Sequence, residues 1–116
     1  MIFRDPKSLR VYVRPGRTDM RKSWNGLSII VKREMSKDVY SEYLFLFCGK
    51  SRDRLKCLYW DGNGFCIWQK RLEKGKFPWP ESEESALDLS WREVSWLLKG
   101  IDFRKEHRLM DVSGLR

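Results

Sequence analysis

Carboxylates, thiols and one imidazole are the side chains here that could do covalent or metal chemistry. Nuclease chemistry needs two or more acidic groups converging on magnesium. The candidates are Asp19, Asp53, Asp61 and Asp102. Each also fits a structural role: Asp19 a helix start, Asp53 a loop, Asp61 a turn and Asp102 a post-helix turn. No two of them fall at i, i+4 spacing within one helix. Cys48, Cys57 and Cys66 are spaced by nine residues. Three thiolates plus His107 would suffice for zinc, but zinc ligands favour tight turns and these cysteines lie inside apolar segments. They read instead as reduced core thiols of a cytoplasmic protein. There is no GxxxxGK[ST] or GxGxxG motif and no Ser or Cys nucleophile beside a histidine. The sequence therefore assigns no catalytic residue, no metal site and no cofactor.

Binding chemistry is better represented. Lys and Arg number 24 against 16 Asp and Glu, for a formal net charge of +8 over 116 residues. A chain of this length supports one core and is too small for a multidomain polymerase or motor. The excess charge favours a polyanion or an acidic protein patch as partner and says nothing about fold. Arg10, Arg14, Arg17, Arg21 and Lys22 form one basic cluster. Lys50, Arg52, Arg54 and Lys56 form another, with Lys70, Arg71, Lys74 and Lys76 further on. Guanidinium forks and free helix N–H groups both suit phosphates. The nucleic-acid contacts expected are Arg14, Arg17, Arg21, Lys22, Lys50, Arg52, Arg54, Lys70 and Arg71. Aromatic residues interleave with these clusters, and bases of single strands stack on exposed rings, with Trp68 or Trp79 as the candidates. Residues 81–93 reverse the sign, with five acidic groups against one basic. That favours a second reading, a protein–protein adaptor. Its aromatic anchors are Phe77, Trp79 and Trp96, and its acidic patch is Glu81, Glu83 and Glu84.

The elements that position these residues follow from periodicity. Leu9–Val13 alternates as a short strand, ended by Pro15-Gly16. Thr18 reads as an N-cap with Asp19 in the first turn. Met20, Trp24, Leu27, Ile30, Val31 and Met35 make an apolar stripe, so an amphipathic helix is expected over 19–35. It has a sheet to cover, and the chain has no apolar run long enough to span a membrane, so no membrane partner is expected. Tyr43–Cys48, Arg54–Trp60 and Phe65–Gln69 are strands. Asp61-Gly62-Asn63-Gly64 supplies the tight hairpin turn between the last two. Glu81–Ser85 reads as a polar loop, and Leu87 and Leu89 as a brief strand. Ser90 and Glu93 form a capping box for a last helix, with Gly100 as its stop. The fold expected is α+β. An antiparallel sheet of three to four strands, a meander with the tight DGNG hairpin, is packed by the amphipathic helix and followed by a second short C-terminal helix. Residues 1–106 form a single domain and 107–116 a flexible tail. The charged N-terminus does not read as a signal peptide. Strands separate the helices, which argues against a helix-turn-helix.

Several of these pieces occur together in one known family. Thr18-Asp19-Met20-Arg21-Lys22 followed by Gly26-Leu27, then Leu44-Phe45-Leu46-Phe47 and the basic loop Lys50 to Arg54, resemble the TnpB accessory proteins. These are encoded by the second open reading frame of bacterial insertion sequences of family sixty-six. Tyr59-Trp60-Asp61-Gly62-Asn63-Gly64, Lys70 to Gly75, Phe77-Pro78-Trp79-Pro80 and Leu97 to Phe103 extend the resemblance over about residues 9–104. Cys48 and Phe103 are departures that leave the pattern intact. The resemblance implies a non-catalytic accessory protein of transposition. It would act beside a small helix-turn-helix protein and a larger transposase of the same element, binding DNA, the transposase complex or both through its basic clusters. The alternatives are an adaptor without direct DNA contact and, third, a small metal-dependent nuclease.

Overall fold

The computed structural model describes residues 10–41, 43–87 and 89–99. The expectations for Leu9, Gly100, Asp102, Phe103, His107 and the tail 107–116 lie outside the described residues. The element order is β1 (Arg10–Val13), α1 (Trp24–Arg33), β2 (Tyr43–Cys48), β3 (Arg54–Trp60), β4 (Phe65–Arg71), α2 (Glu83–Leu87) and α3 (Trp91–Leu97). The strands form one sheet in the order β1-β2-β3-β4.

β2, β3 and β4 are the expected antiparallel meander. Its hairpin closes through the Asp61 N–H donating to the Gly64 carbonyl at 2.8 Å, with Gly62 at φ +83°. β1 is different. It pairs with β2 in parallel, from Arg10↔Tyr43 to Val13↔Leu46, so the sheet is mixed rather than wholly antiparallel. Alternation of side chains is the same in either direction and does not encode strand sense. Direction is decided by the connection, and the long β1–β2 segment containing α1 carries the chain back to the end where it started.

β2 reads Tyr-Leu-Phe-Leu-Phe-Cys without polar alternation because both its faces are covered. On one face Phe45 and Phe47, with Leu58 of β3, pack against Leu27, Ile30 and Val31 of α1. On the other, Leu44, Leu46 and Cys48, with Leu55, Cys57 and Tyr59, pack against Phe77, Trp79, Leu97 and Leu98. Cys48 is buried, and burial pushes its thiol up to about 11. It is therefore protonated at neutral pH and a poor nucleophile or metal ligand there.

α1 is shorter than expected. It starts at Trp24 with Ser23 as N-cap, not at Asp19 with Thr18 as cap. Both of those residues are engaged elsewhere. The Thr18 N–H donates to the Cys48 carbonyl at 2.8 Å, tying it to the end of β2. The Asp19 carboxylate accepts the Arg21 backbone N–H at 2.9 Å and forms an ion pair with the Arg21 guanidinium. Such local bonds compete with helix formation. Met20, assigned by spacing to the helix stripe, instead sits against Gly49, where an added Cβ would meet its Cγ at 2.7 Å.

Leu87 is helical rather than extended. The Ser82 hydroxyl accepts the Ser85 N–H at 3.1 Å, and Glu83 and Glu84 occupy the first turn of α2, where anions are favoured. The capping box of α3 is present as read, with the Glu93 N–H donating to Ser90 Oγ and the Ser90 N–H donating to Glu93 Oε1, both at 3.2 Å. No helix among the described residues is long and apolar enough to cross a membrane.

Candidate nucleic-acid interface

Arg54 opens β3 and Arg71 ends β4, and the register sets them directly opposite each other. Two residues further along the same face lies the pair Lys56↔Gln69. Like charges opposite one another destabilise a sheet. Among the described residues neither arginine side chain has a hydrogen-bond or ion-pair partner. The nearest compensation is Asp53. Its carboxyl is held below the usual range by the Ser51 hydroxyl and, more weakly, by the charges of Arg71 and Arg54. Lys56 Nζ donates to the Lys22 carbonyl at 2.7 Å, which clamps the segment before α1 onto this part of the sheet. Arg54, Lys56, Gln69 and Arg71, with Met20 at one wall, line an open groove of about 370 Å³. Lys22 is exposed, but its side chain lies over Gly26 and lines a separate pocket with Arg14, Arg17 and Arg33. The adjacent start of α1 has no side-chain cap and no acidic residue in its first turn, which adds to the positive potential.

The other basic residues named from sequence divide into two groups. Arg17 and Lys50 are exposed, like Lys22, Arg54 and Arg71. Arg14, Arg21, Arg52 and Lys70 have their cationic groups engaged within the chain. Arg14 Nη1 donates to the Arg17 carbonyl at 3.0 Å and to Thr18 Oγ1 at 2.8 Å, while Nη2 pairs with Glu34 at 2.8 Å. Its side chain is only 20% exposed. Arg52 donates to the Trp79 carbonyl at 2.8 Å and pairs with Glu81. Lys70 donates to the Lys99 carbonyl at 2.9 Å from the opposite face of the sheet. Arg21 is exposed, but its guanidinium is held by Asp19, whose carboxyl it keeps far below the usual range.

These placements distinguish braces from contacts. Replacing Arg14 with alanine is expected to cost about 1–3 kcal/mol, because it strips partners from the buried Thr18 hydroxyl and from Glu34. Urea unfolding measures this, and DNA affinity should stay at the parent value.

The adaptor residues are also redistributed. Phe77 and Trp79 are 2% and 5% exposed, so their rings face the core rather than a partner. Glu81 is in the ion pair with Arg52. Trp96 remains 44% exposed, and Glu83 and Glu84 are exposed on α2 beside Leu87. Trp24 and Tyr40 are exposed rings that sequence reasoning did not put forward for base contact. By spacing alone Trp24 belongs to the helix stripe. Its place as the first residue of a later-starting helix is what leaves it at the surface. Of the acidic candidates, Asp19 is spent on Arg21 and Asp53 accepts from Ser51. Among the described residues no three His, Cys, Asp or Glu side chains come together as a metal-binding group.

The sequence matches the family described as IS66 Orf2 like protein over residues 9–108. Two proteins of Sinorhizobium fredii (strain NBRC 101917 / NGR234) are similar to it. The one named "Uncharacterized protein y4hO" is 38% identical over 98 residues, covering 84% of this chain and 85% of the relative. The one named "Uncharacterized protein y4jC" is 38% identical over 102 residues, covering 88% and 87%. No solved structure matches.

Proposed function

The chain belongs to the IS66 Orf2-like family, associated with transposition in an accessory capacity, and from that premise we propose that it contacts DNA directly as a non-catalytic factor. The observation that carries this reading is the cross-strand pair Arg54↔Arg71. A fold that sets two unpaired guanidinium groups opposite each other has accepted a stability cost. An anion between them removes that cost, and the regularly spaced phosphates of DNA are such anions. The partners in this role are the transposase and the helix-turn-helix protein of the same element.

The experiment is a titration of duplex DNA from an element end at two salt concentrations. Two phosphate contacts, one from each arginine, predict a log–log slope of about −1.8 and an affinity loss of about tenfold between 50 and 200 mM salt. Absent or salt-insensitive binding overturns the reading.

The adaptor reading has its own observation. Leu87 is 85% exposed on a helix whose first turn carries the exposed Glu83 and Glu84. That is the chemistry of a patch meeting a basic partner surface. It predicts co-purification with the transposase that is lost when Glu83 and Glu84 are changed to lysine.

A further inference from the structure

β1 is an edge strand of the sheet. The Arg14 N–H donates to the Leu46 carbonyl at 3.0 Å, at the end of the β1–β2 ladder. Backbone groups of alternate residues turn to opposite sides of a strand. Those of Tyr12 therefore face β2, as the Arg14 N–H does, and the N–H and C=O groups of Val11 and Val13 point out of the sheet. Among the described residues these four groups have no hydrogen-bond partner. Folded proteins commonly blunt such edges with charge. β4, the other edge strand, ends in Gln69-Lys70-Arg71, whereas Val11-Tyr12-Val13 carries no charge.

The open edge lines a groove of about 590 Å³ that has two walls. One wall is Glu34, Met35 and Lys37, and Met35 packs with Tyr12 on the α1 face of the sheet. The other is Glu83, Ala86 and Leu87 of α2 with Leu89 and Val94, and Val94 packs with Val11 and Val13 on the opposite face. This second wall is mainly apolar, and Leu87 on it is 85% exposed. The charges of the first wall are already engaged. Glu34 is paired with Arg14, and Lys37 Nζ lies 4.3 Å from the centre of the Tyr12 ring. Glu83 is exposed and has no ion-pair partner among the described residues. The unspent charge of the groove is therefore negative.

We propose that this groove docks an extended, basic peptide segment of a partner protein, which joins the sheet as a further strand beside β1. An extended backbone presents donors and acceptors in step with those of Val11 and Val13. Its side chains alternate between the two walls. Apolar ones meet Leu87, Leu89 and Val94, and a lysine or arginine comes within reach of Glu83. The proposal rests on the adaptor reading, names what covers Leu87, and is independent of DNA contact at Arg54 and Arg71. A second copy of the chain fits less well. The antiparallel pairing of two β1 strands that satisfies Val11 and Val13 sets Val11 of one copy against Val13 of the other. It also sets Arg10 against Arg14 at both ends. Like charges opposite one another are unfavourable, and each copy carries a net +8.

The test is fluorescence anisotropy with three labelled ten-residue peptides: one alternating valine and lysine, the same peptide N-methylated throughout, and one alternating valine and glutamate. The valine–lysine peptide should bind the intact protein saturably, and the other two at least about tenfold more weakly. Val13→Pro removes an outward N–H and spares the β1–β2 ladder, because proline is tolerated where the N–H faces out of a sheet. It should weaken the valine–lysine peptide at least about tenfold and leave DNA affinity at the parent value. Equal binding of the plain and N-methylated peptides, or binding of neither, overturns the docking. A dimer in sedimentation equilibrium that Val13→Pro dissolves also overturns it, since a second copy then takes the edge. Should circular dichroism show that Val13→Pro has unfolded, the N-methylated peptide and the intact protein decide the matter. Transposase that co-purifies with folded Val13→Pro as with the parent, but not after Glu83 and Glu84 are changed to lysine, leaves the adaptor reading standing and overturns the added strand. Peptide binding as expected without any co-purification of the transposase supports the added strand and removes the transposase as its source.

Discussion

Replacing Trp79 with alanine is expected to destabilise the fold by about 3–5 kcal/mol, the cost typical of deleting a large buried aromatic side chain. The indole is 5% exposed and closes the core face formed by Leu44, Leu46, Cys48, Leu55 and Cys57. It is also a polar tie, since Nε1 donates to the Arg14 carbonyl at 2.8 Å. Around it the backbone is stitched to two other loops. The Trp79 carbonyl accepts from Arg52, and the Pro80 carbonyl accepts the Gly16 N–H at 2.9 Å. Removing the ring leaves a cavity and an unpartnered carbonyl together. Small domains are stable by only about 5–15 kcal/mol, so roughly a fifth or more of the total is at stake. Thermal unfolding followed by circular dichroism should show a midpoint lower by roughly 15–30 °C. Trp79→Phe should recover most of this loss, and Trp96→Ala, at a half-exposed ring, should lose much less. A Trp79→Ala protein within about 1 kcal/mol of the parent would contradict the packing and revive the reading of Trp79 as a surface anchor.

Changing Arg54 and Arg71 together to threonine is expected to separate function from stability. Threonine suits a strand and removes the like-charge pair, so the sheet should gain about 0.2–1 kcal/mol. DNA binding should move the opposite way. Loss of two phosphate contacts lowers the steepness of the salt dependence by about 1.8 and weakens affinity by on the order of a hundredfold at low salt. Urea unfolding and a fluorescence anisotropy titration on one protein sample read both. Unchanged DNA affinity with raised stability would mean that the two arginines do not face phosphate. Lowered stability would mean that their aliphatic stems, not their charges, matter to the fold.

The opposed expectations for Arg14 and for Arg54 with Arg71 show how the candidate site was and was not legible in sequence. All three are arginines in basic clusters, and spacing treats them alike. Arg14 becomes a brace because Glu34, 20 residues away, and Thr18 converge on its guanidinium. Arg54 and Arg71 become neighbours because a hairpin register aligns the ends of two seven-residue strands. The turn that sets this register was plain in Asp61-Gly62-Asn63-Gly64. Counting back along both strands from it places Arg54 opposite Arg71, so this half of the site was recoverable from sequence. The exposure of Trp24 was not. It depends on α1 starting late, after Thr18 and Asp19 are drawn into bonds with the Cys48 carbonyl and with Arg21.

By itself the sequence determined what local chemistry controls: the meander and its tight turn, the capping box of the last helix, the covered strand Tyr43–Cys48, the excess of positive charge and the family motifs. These depend on backbone preferences and side-chain alternation within a few residues. Only the tertiary structure decided that Arg10–Val13 joins the sheet in parallel. Only it separated the cations that brace the fold from those that face solvent, and the tryptophans of the core from those of the surface. Those outcomes turn on partners far apart in the chain, as with the Trp79 indole and the Arg14 carbonyl 65 residues before it. A charge or a ring is available for binding only when no such distant carbonyl, carboxylate or apolar wall has already engaged it, and local sequence does not carry that information.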